Sequence, residues 1–236
     1  LRSLQMSSPT SSPPYIPTPA PTQARAPRRS LLVGLMGRKL SGKDSVFKAV
    51  AGGYIPLAFA TPLKEAAKAL FAFSGQQLYD PELKEAVDPF WGFTPRRALQ
   101  VLGTEVCRVH LARELGLSES IFVTWVQRKI RAFASSYPDT PVMVTDVRFE
   151  DEAKMVLDEG GFLVLVTRPS LPSIPAGEHA SELLELTPHL EIINDGTLEQ
   201  LKLAVAEMER VLKAHQPGEA RPLHAPIRAS ELVAHD

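Results

Sequence analysis

Leu31-Leu32-Val33-Gly34-Leu35-Met36-Gly37-Arg38-Lys39-Leu40-Ser41-Gly42-Lys43-Asp44-Ser45 reads in three parts. The run Leu31 to Leu35 is short and apolar, the mark of a strand buried on both faces. Gly37 to Lys43 matches G-x-x-x-x-G-K. Helical sequence follows from about Lys43 to Val50 and ends at Gly52-Gly53. Strand, glycine turn and helix in that order are the context in which the pattern signifies phosphate binding. Glycines let the backbone curl so that N–H groups converge on phosphate oxygens. The helix N-terminus adds partial positive charge, and Lys43 adds a mobile cation. The hydroxyl residue usual after the lysine is replaced by Asp44, with Ser45 next. Either is a candidate ligand for a divalent cation.

Moving outward, strand candidates alternate with helices. Ile55 to Phe59 is the second strand, and Thr61-Pro62 then reads as N-cap and first residue of a helix carrying Leu63, Ala66, Ala67 and Leu70. Residues 74–137 are mostly helical, with a loop at Asp88-Pro89-Phe90-Trp91-Gly92. Val142 to Thr145 is the third strand and ends at Asp146; a helix spans about Asp151 to Glu159. Phe162 to Val166 and Leu190 to Ile193 are the fourth and fifth strands. Thr197 caps a last amphipathic helix through Leu198, Leu201, Val205, Met208 and Leu212. This alternation predicts an α/β fold: a parallel five-stranded sheet covered by helices on both faces, with ligands at the carboxyl ends of the strands.

An apolar strand ending in an acid places Asp146 where a phosphate-binding enzyme can hold its metal. Arg148 falls on the same rim, or pairs on the surface with Glu150 or Asp151.

Residues 1–30 hold seven Pro, four Arg and no acid, which predicts a disordered tail. The Arg and Ser content suggests a transit peptide, but the prolines break the amphipathic helix it needs. Met6 is a candidate start. Residues 215–236 read as a second tail. The whole chain carries a net charge of −1, and its 44% hydrophobic content allows a sizeable core. Without residues 1–30 there are 22 basic and 27 acidic residues, a net of −5, so cations for an anionic substrate must be concentrated locally. No nucleic-acid partner is expected. One cysteine, Cys107, forbids an internal disulfide, and no apolar run approaches the roughly 20 residues that span a bilayer. A cytoplasmic protein is expected, in the host cytoplasm if the source is viral.

Several separated motifs occur together in order. They are Ser41-Gly42-Lys43-Asp44-Ser45, then Phe59-Ala60-Thr61-Pro62-Leu63-Lys64, then Asp88-Pro89-Phe90-Trp91-Gly92-Phe93-Thr94-Pro95-Arg96. Leu99-Gln100, Gly103-Thr104-Glu105 and Arg108 follow, then Asp146-Val147-Arg148-Phe149, Arg168-Pro169, His179-Ala180-Ser181-Glu182 and Asn194-Asp195-Gly196-Thr197. In these the chain resembles the bacteriophage deoxynucleoside monophosphate kinases over about residues 31–213. Thr61 departs from the Asp usual in that family.

The resemblance implies a P-loop kinase three-layer sandwich with a helical acceptor-binding insertion at about 74–137. It implies transfer of a phosphoryl group from ATP, with Mg2+, to a dNMP. Candidate ATP contacts are Gly37, Lys39, Ser41, Gly42, Lys43, Asp44 and Ser45, and candidate metal ligands are Asp44, Ser45 and Asp146. Lys43, Arg148 and Arg168 are candidates for neutralising the transferring group. Lys64, Arg96 and Arg108 suit the acceptor phosphate, arginine through its bidentate fork. Trp91 and Phe93 either stack on a base or pack the insertion, and Gln100 can bond a base edge. Glu105 either orients Arg96 or Arg108 or contacts the sugar. The segment after Pro175 is a candidate lid. A homodimer is the assembly considered. Two other readings stay open: a small-molecule kinase acting on a nucleoside or coenzyme precursor, and a nucleotide-binding module without transfer activity.

Overall fold

The computed structural model describes residues 30–50, 53–117, 120–172, 187–215 and 224–233. Strand β1 (Leu32–Met36) is followed by the loop and by α1 (Lys43–Ala49), then β2 (Ile55–Leu57) and α2 (Ala60–Phe71). Short helices α3 (Gly75–Tyr79), α4 (Pro81–Glu85) and α5 (Pro95–Gln100) form the insertion. Its chain continues as a wide π-helical stretch, Val101–Leu111, and a turn of α6 (Ala112–Glu114). Then come α7 (Ile121–Ser136), β3 (Val142–Val147), α8 (Glu150–Asp158), β4 (Phe162–Thr167), β5 (Leu190–Ile193), α9 (Leu198–Lys213) and β6 (Ile227–Arg228).

All strand pairs are parallel, in the order β2-β3-β1-β4-β5-β6. The chain leaves β1 toward one edge and leaves β3 toward the other. The crevice between the carboxyl ends of β1 and β3 is therefore the switch point where such sheets bind ligands. Alternating residues of β1 serve both faces. Val33 and Leu35 join the core beneath α1 and α9, while Leu32 and Met36 join the core beneath α7 and α8. The three-layer α/β expectation is met. A third, small core of Ala67, Phe73, Leu78 and Ala98 holds the insertion against α2.

Two expectations are corrected. The sheet has six strands, not five, because residues 224–233 of the expected tail add β6 beside β5. Ile227 and Ala229 are buried there, and Asp195 anchors the segment by accepting from the Ser230 N–H and the Arg228 guanidinium. Thr61 is not the cap of α2. The helix begins at Ala60, and its first N–H groups are met by a carboxylate from another strand.

Candidate active site

The loop after β1 turns through three residues with positive φ: Gly37 (135°), Leu40 (66°) and Gly42 (107°). A Cβ at Gly37 would collide with the Val166 carbonyl oxygen at the end of β4, so the loop lies directly on that strand. A Cβ at Gly42 would collide with the Asn194 side chain. Asn194, at the end of β5, donates to the Ser41 carbonyl at 2.9 Å and so occupies that oxygen. Lys43 folds back to donate to the Gly37 and Arg38 carbonyls at 2.6 and 2.8 Å. Ser41 is buried, and its hydroxyl finds no hydrogen-bond partner among the described residues. A curled loop, a buried hydroxyl awaiting a partner and a helix N-terminus together favour an anion.

Asp146 ends the neighbouring strand and accepts from the Phe59 and Ala60 N–H groups at 2.8 and 3.0 Å. Burial pushes its carboxyl up, while those two amides, Arg148 and Lys64 pull it down. Asp146 and Asp44 both act electrostatically on Lys64. Burial also pulls the Lys64 ammonium down, and its Nζ sits 3.8 Å above the Tyr79 ring. Among the described residues no three acidic, histidine or cysteine side chains gather as a self-sufficient metal site.

The insertion reaches the loop through Glu85. Its carboxylate takes Arg96 in a close ion pair and lies 4.0 Å from Lys39 of the loop. Lys39 and Arg96 are thereby brought together across the crevice, and Lys64 and Arg148 bear on the same space. Arg148 and Arg168 are exposed at the ends of β3 and β4.

Other predicted residues sit differently. Arg108 lies over the Phe149 ring, 4.1 Å from its centroid, and pairs closely with buried Glu152. Glu152 also accepts from the Arg148 and Phe149 N–H groups at 2.9 and 3.3 Å. Burial holds Glu152 up at about 7, against the pull of those groups. Arg108 thus fixes the turn that carries Arg148. Glu105 lies 4.0 Å from Arg97, whereas Arg96 and Arg108 take Glu85 and Glu152. Gln100 is exposed. Trp91 donates to the Phe71 carbonyl at 2.8 Å and packs on Phe71, Phe90 and Phe93. It remains 39% exposed, so one aromatic face of the insertion is open to solvent. The motif at His179, Ser181 and Glu182, and the candidate lid with it, lies outside the described residues.

Two site residues escaped the sequence reading. Asn194 was legible only as part of a motif, and nothing in a sequence says that its amide reaches a carbonyl 153 positions away. The other is Lys84 of α4, on which Lys64, Arg96, Arg148 and Lys39 all act electrostatically; in the sequence it looks like any lysine on a polar helix.

No family model matches the chain. A mimivirus protein from Acanthamoeba polyphaga mimivirus, named "Putative deoxynucleotide monophosphate kinase", is 35% identical over 176 residues, covering 72% of this chain and 91% of that protein. The chain belongs to the deoxynucleoside monophosphate kinase family. The chain is therefore a nucleotide kinase, a phosphotransferase. No helix among the described residues is long and apolar enough to cross a membrane.

Proposed function

We propose that the protein transfers the γ-phosphoryl group of ATP to a deoxynucleoside monophosphate, giving ADP and the diphosphate. The observation that carries this reading is the bridge Lys39–Glu85–Arg96, which sets the insertion's cations against the glycine loop at the sheet's switch point. A monophosphate kinase needs two anion sites within bonding distance of each other. The mimivirus relative's name supplies the acceptor class.

The loop fits a triphosphate by the buried Ser41 hydroxyl and by the positive-φ curl at Gly37, Leu40 and Gly42. Lys43 would exchange its two carbonyl partners for phosphate oxygens, and Lys39 would reach the same group. Asp44, Ser45 and Asp146 offer the hard oxygens that suit magnesium, which takes one or two carboxylates together with substrate phosphates. Mg2+, when bound, neutralises charge on the β- and γ-phosphates. Lys64 and Arg96 would hold the acceptor phosphate, with Trp91 against the base and Gln100 and Glu105 at its edges. Arg108 would act by placing the Arg148 turn. Arg148 and Arg168 would neutralise the equatorial oxygens of the transferring group. An acceptor oxygen attacks the γ-phosphorus in line, a P–O bond forms, and the bond to the β–γ bridging oxygen breaks with its electron pair on ADP. The acceptor is already anionic, so no general base is needed. Rate comes from positioning and charge neutralisation.

ADP release with ATP and Mg2+ tests this, with dAMP, dCMP, dGMP, dTMP and their ribose forms offered separately. Release that depends on a deoxynucleotide and falls at least about 10³-fold in Lys43→Ala supports the reading. ATP binding with no release for any monophosphate overturns it.

A further inference from the structure

Lys84 lies on α4 one residue before Glu85 and is half-buried. Glu85 turns its carboxylate to Arg96 and Lys39, and so does not neutralise its neighbour. Lys84 makes no hydrogen bond or ion pair among the described residues. Four further cations act on it: Lys64 from α2, Arg96 from α5, Arg148 from the end of β3 and Lys39 from the loop. The packing explains how they meet. Tyr79 carries the Lys64 ammonium and directly precedes Asp80, the cap of α4, so Lys64 and α4 share one side of the insertion. The Glu85 contacts tie α4 to α5 and to the loop.

A partly desolvated lysine without a carboxylate is costly, and four nearby cations make it costlier. Burial, then Lys64, Arg96, Arg148 and Lys39, hold the Lys84 ammonium down at about 8. A lysine kept only for solubility would stand in water or take Glu85. This arrangement instead stores positive charge that an incoming dianion relieves. We infer that Lys84 binds the phosphate of the monophosphate acceptor, closing the set formed by Lys64 and Arg96. This rests on the monophosphate-kinase reading of the same site. Lys84 then adds a point charge that can follow the phosphate as it approaches the loop, beside the planar fork of Arg96.

The test is calorimetric titration of the full chain, as wild type, Lys84→Gln and Lys84→Arg. Each protein is titrated with dAMP, dCMP, dGMP and dTMP, and with the same nucleosides lacking phosphate. For the monophosphates that the wild type binds, Lys84→Gln is expected to weaken binding about 10- to 100-fold, and Lys84→Arg to recover most of it. Nucleoside affinity stays equal in all three proteins. In the wild type, monophosphate Kd climbs as pH rises through about 8, where Lys84 loses its proton, and this bend is absent in Lys84→Gln. Of the acids facing these cations, Glu85 pairs with Arg96, and Asp146 accepts from the Phe59 and Ala60 amides; Asp44 faces Lys64. Unchanged monophosphate affinity in Lys84→Gln overturns the inference, as does equal loss for monophosphate and nucleoside. Wild-type protein that binds ATP but no monophosphate overturns the underlying reading instead.

Discussion

At the scale of single residues, the site is organised by groups whose partners lie far away in sequence. Asn194 holds the Ser41 carbonyl, and Asp146 holds the start of α2. Glu152 holds both Arg108 and the N–H of Arg148. Its folded pKa of about 7 stands above the ordinary 4.5 of a glutamate. The folded state therefore binds its proton more tightly, and this group's contribution to stability falls as pH rises from about 4.5 through 7. Arg108 is what makes the ionised form tolerable. Arg108→Met should lower stability by about 3 kcal/mol at pH 8, where Glu152 is left charged without its cation. At pH 5 the loss should be small, since the carboxyl is protonated in the fold. Urea melts at the two pH values measure this; equal losses at both would show that Arg108 contributes packing rather than charge.

At the scale of elements, α2 shows how a binding site and a helix start share one residue. Neither Phe59 nor Ala60 has a capping side chain nearby in sequence, and the Asp146 carboxylate serves both N–H groups. Asp146→Ala strands two partly buried donors and should cost about 2–4 kcal/mol in urea melts without any ligand present. Asp146→Asn keeps one acceptor oxygen and should lose less. If both variants melt like the wild type, the contact has no structural weight and Asp146 serves only chemistry. The short helices of the insertion depend on one another in the same way. Ser74 and Gln77 form a capping box for α3, and Gln77 also reaches Asp88 at 2.7 Å, which fixes the loop bearing Phe90 and Trp91. The aromatic face is thus placed by hydrogen bonds, and the cations by Glu85.

At the scale of the whole molecule, the last described segment is part of the sheet. Deleting residues 216–236 removes β6 and uncovers Ile192 and α9, losing the buried side chains of Ile227 and Ala229. The expected loss is about 2–3 kcal/mol, a Tm lower by roughly 5–10 °C, read by calorimetry. A deletion that melts at the wild-type temperature would mean that β6 adds nothing to the fold. Because Asp195 binds this segment while its neighbour Asn194 binds the loop, the deletion should also weaken ATP binding more than acceptor binding.

The sequence by itself determined the layered fold and the loop. The central strands β1, β3 and β4 lie mostly buried between helices, and such strands are written as largely apolar runs that need no partner to be recognised. The loop is local too: Gly37, Gly42 and Lys43 carry its curl and its charge within seven residues. What only the tertiary structure decided is where long-range partners meet. Ile227–Arg228 is too short to read as a strand, and it becomes one because β5 supplies its hydrogen bonds and Asp195 its anchor. Thr61 reads as a cap because Thr-Pro suits one locally, yet Asp146 does the work at Ala60 from 86 positions away. Arg108 and Arg96 read alike as phosphate ligands, but packing gave one a buried glutamate and the other a half-exposed one. Lys84 carries no local signal at all; its character comes from burial and then from four charges that the fold assembles around it, and electrostatic energy depends on distance in space, not along the chain.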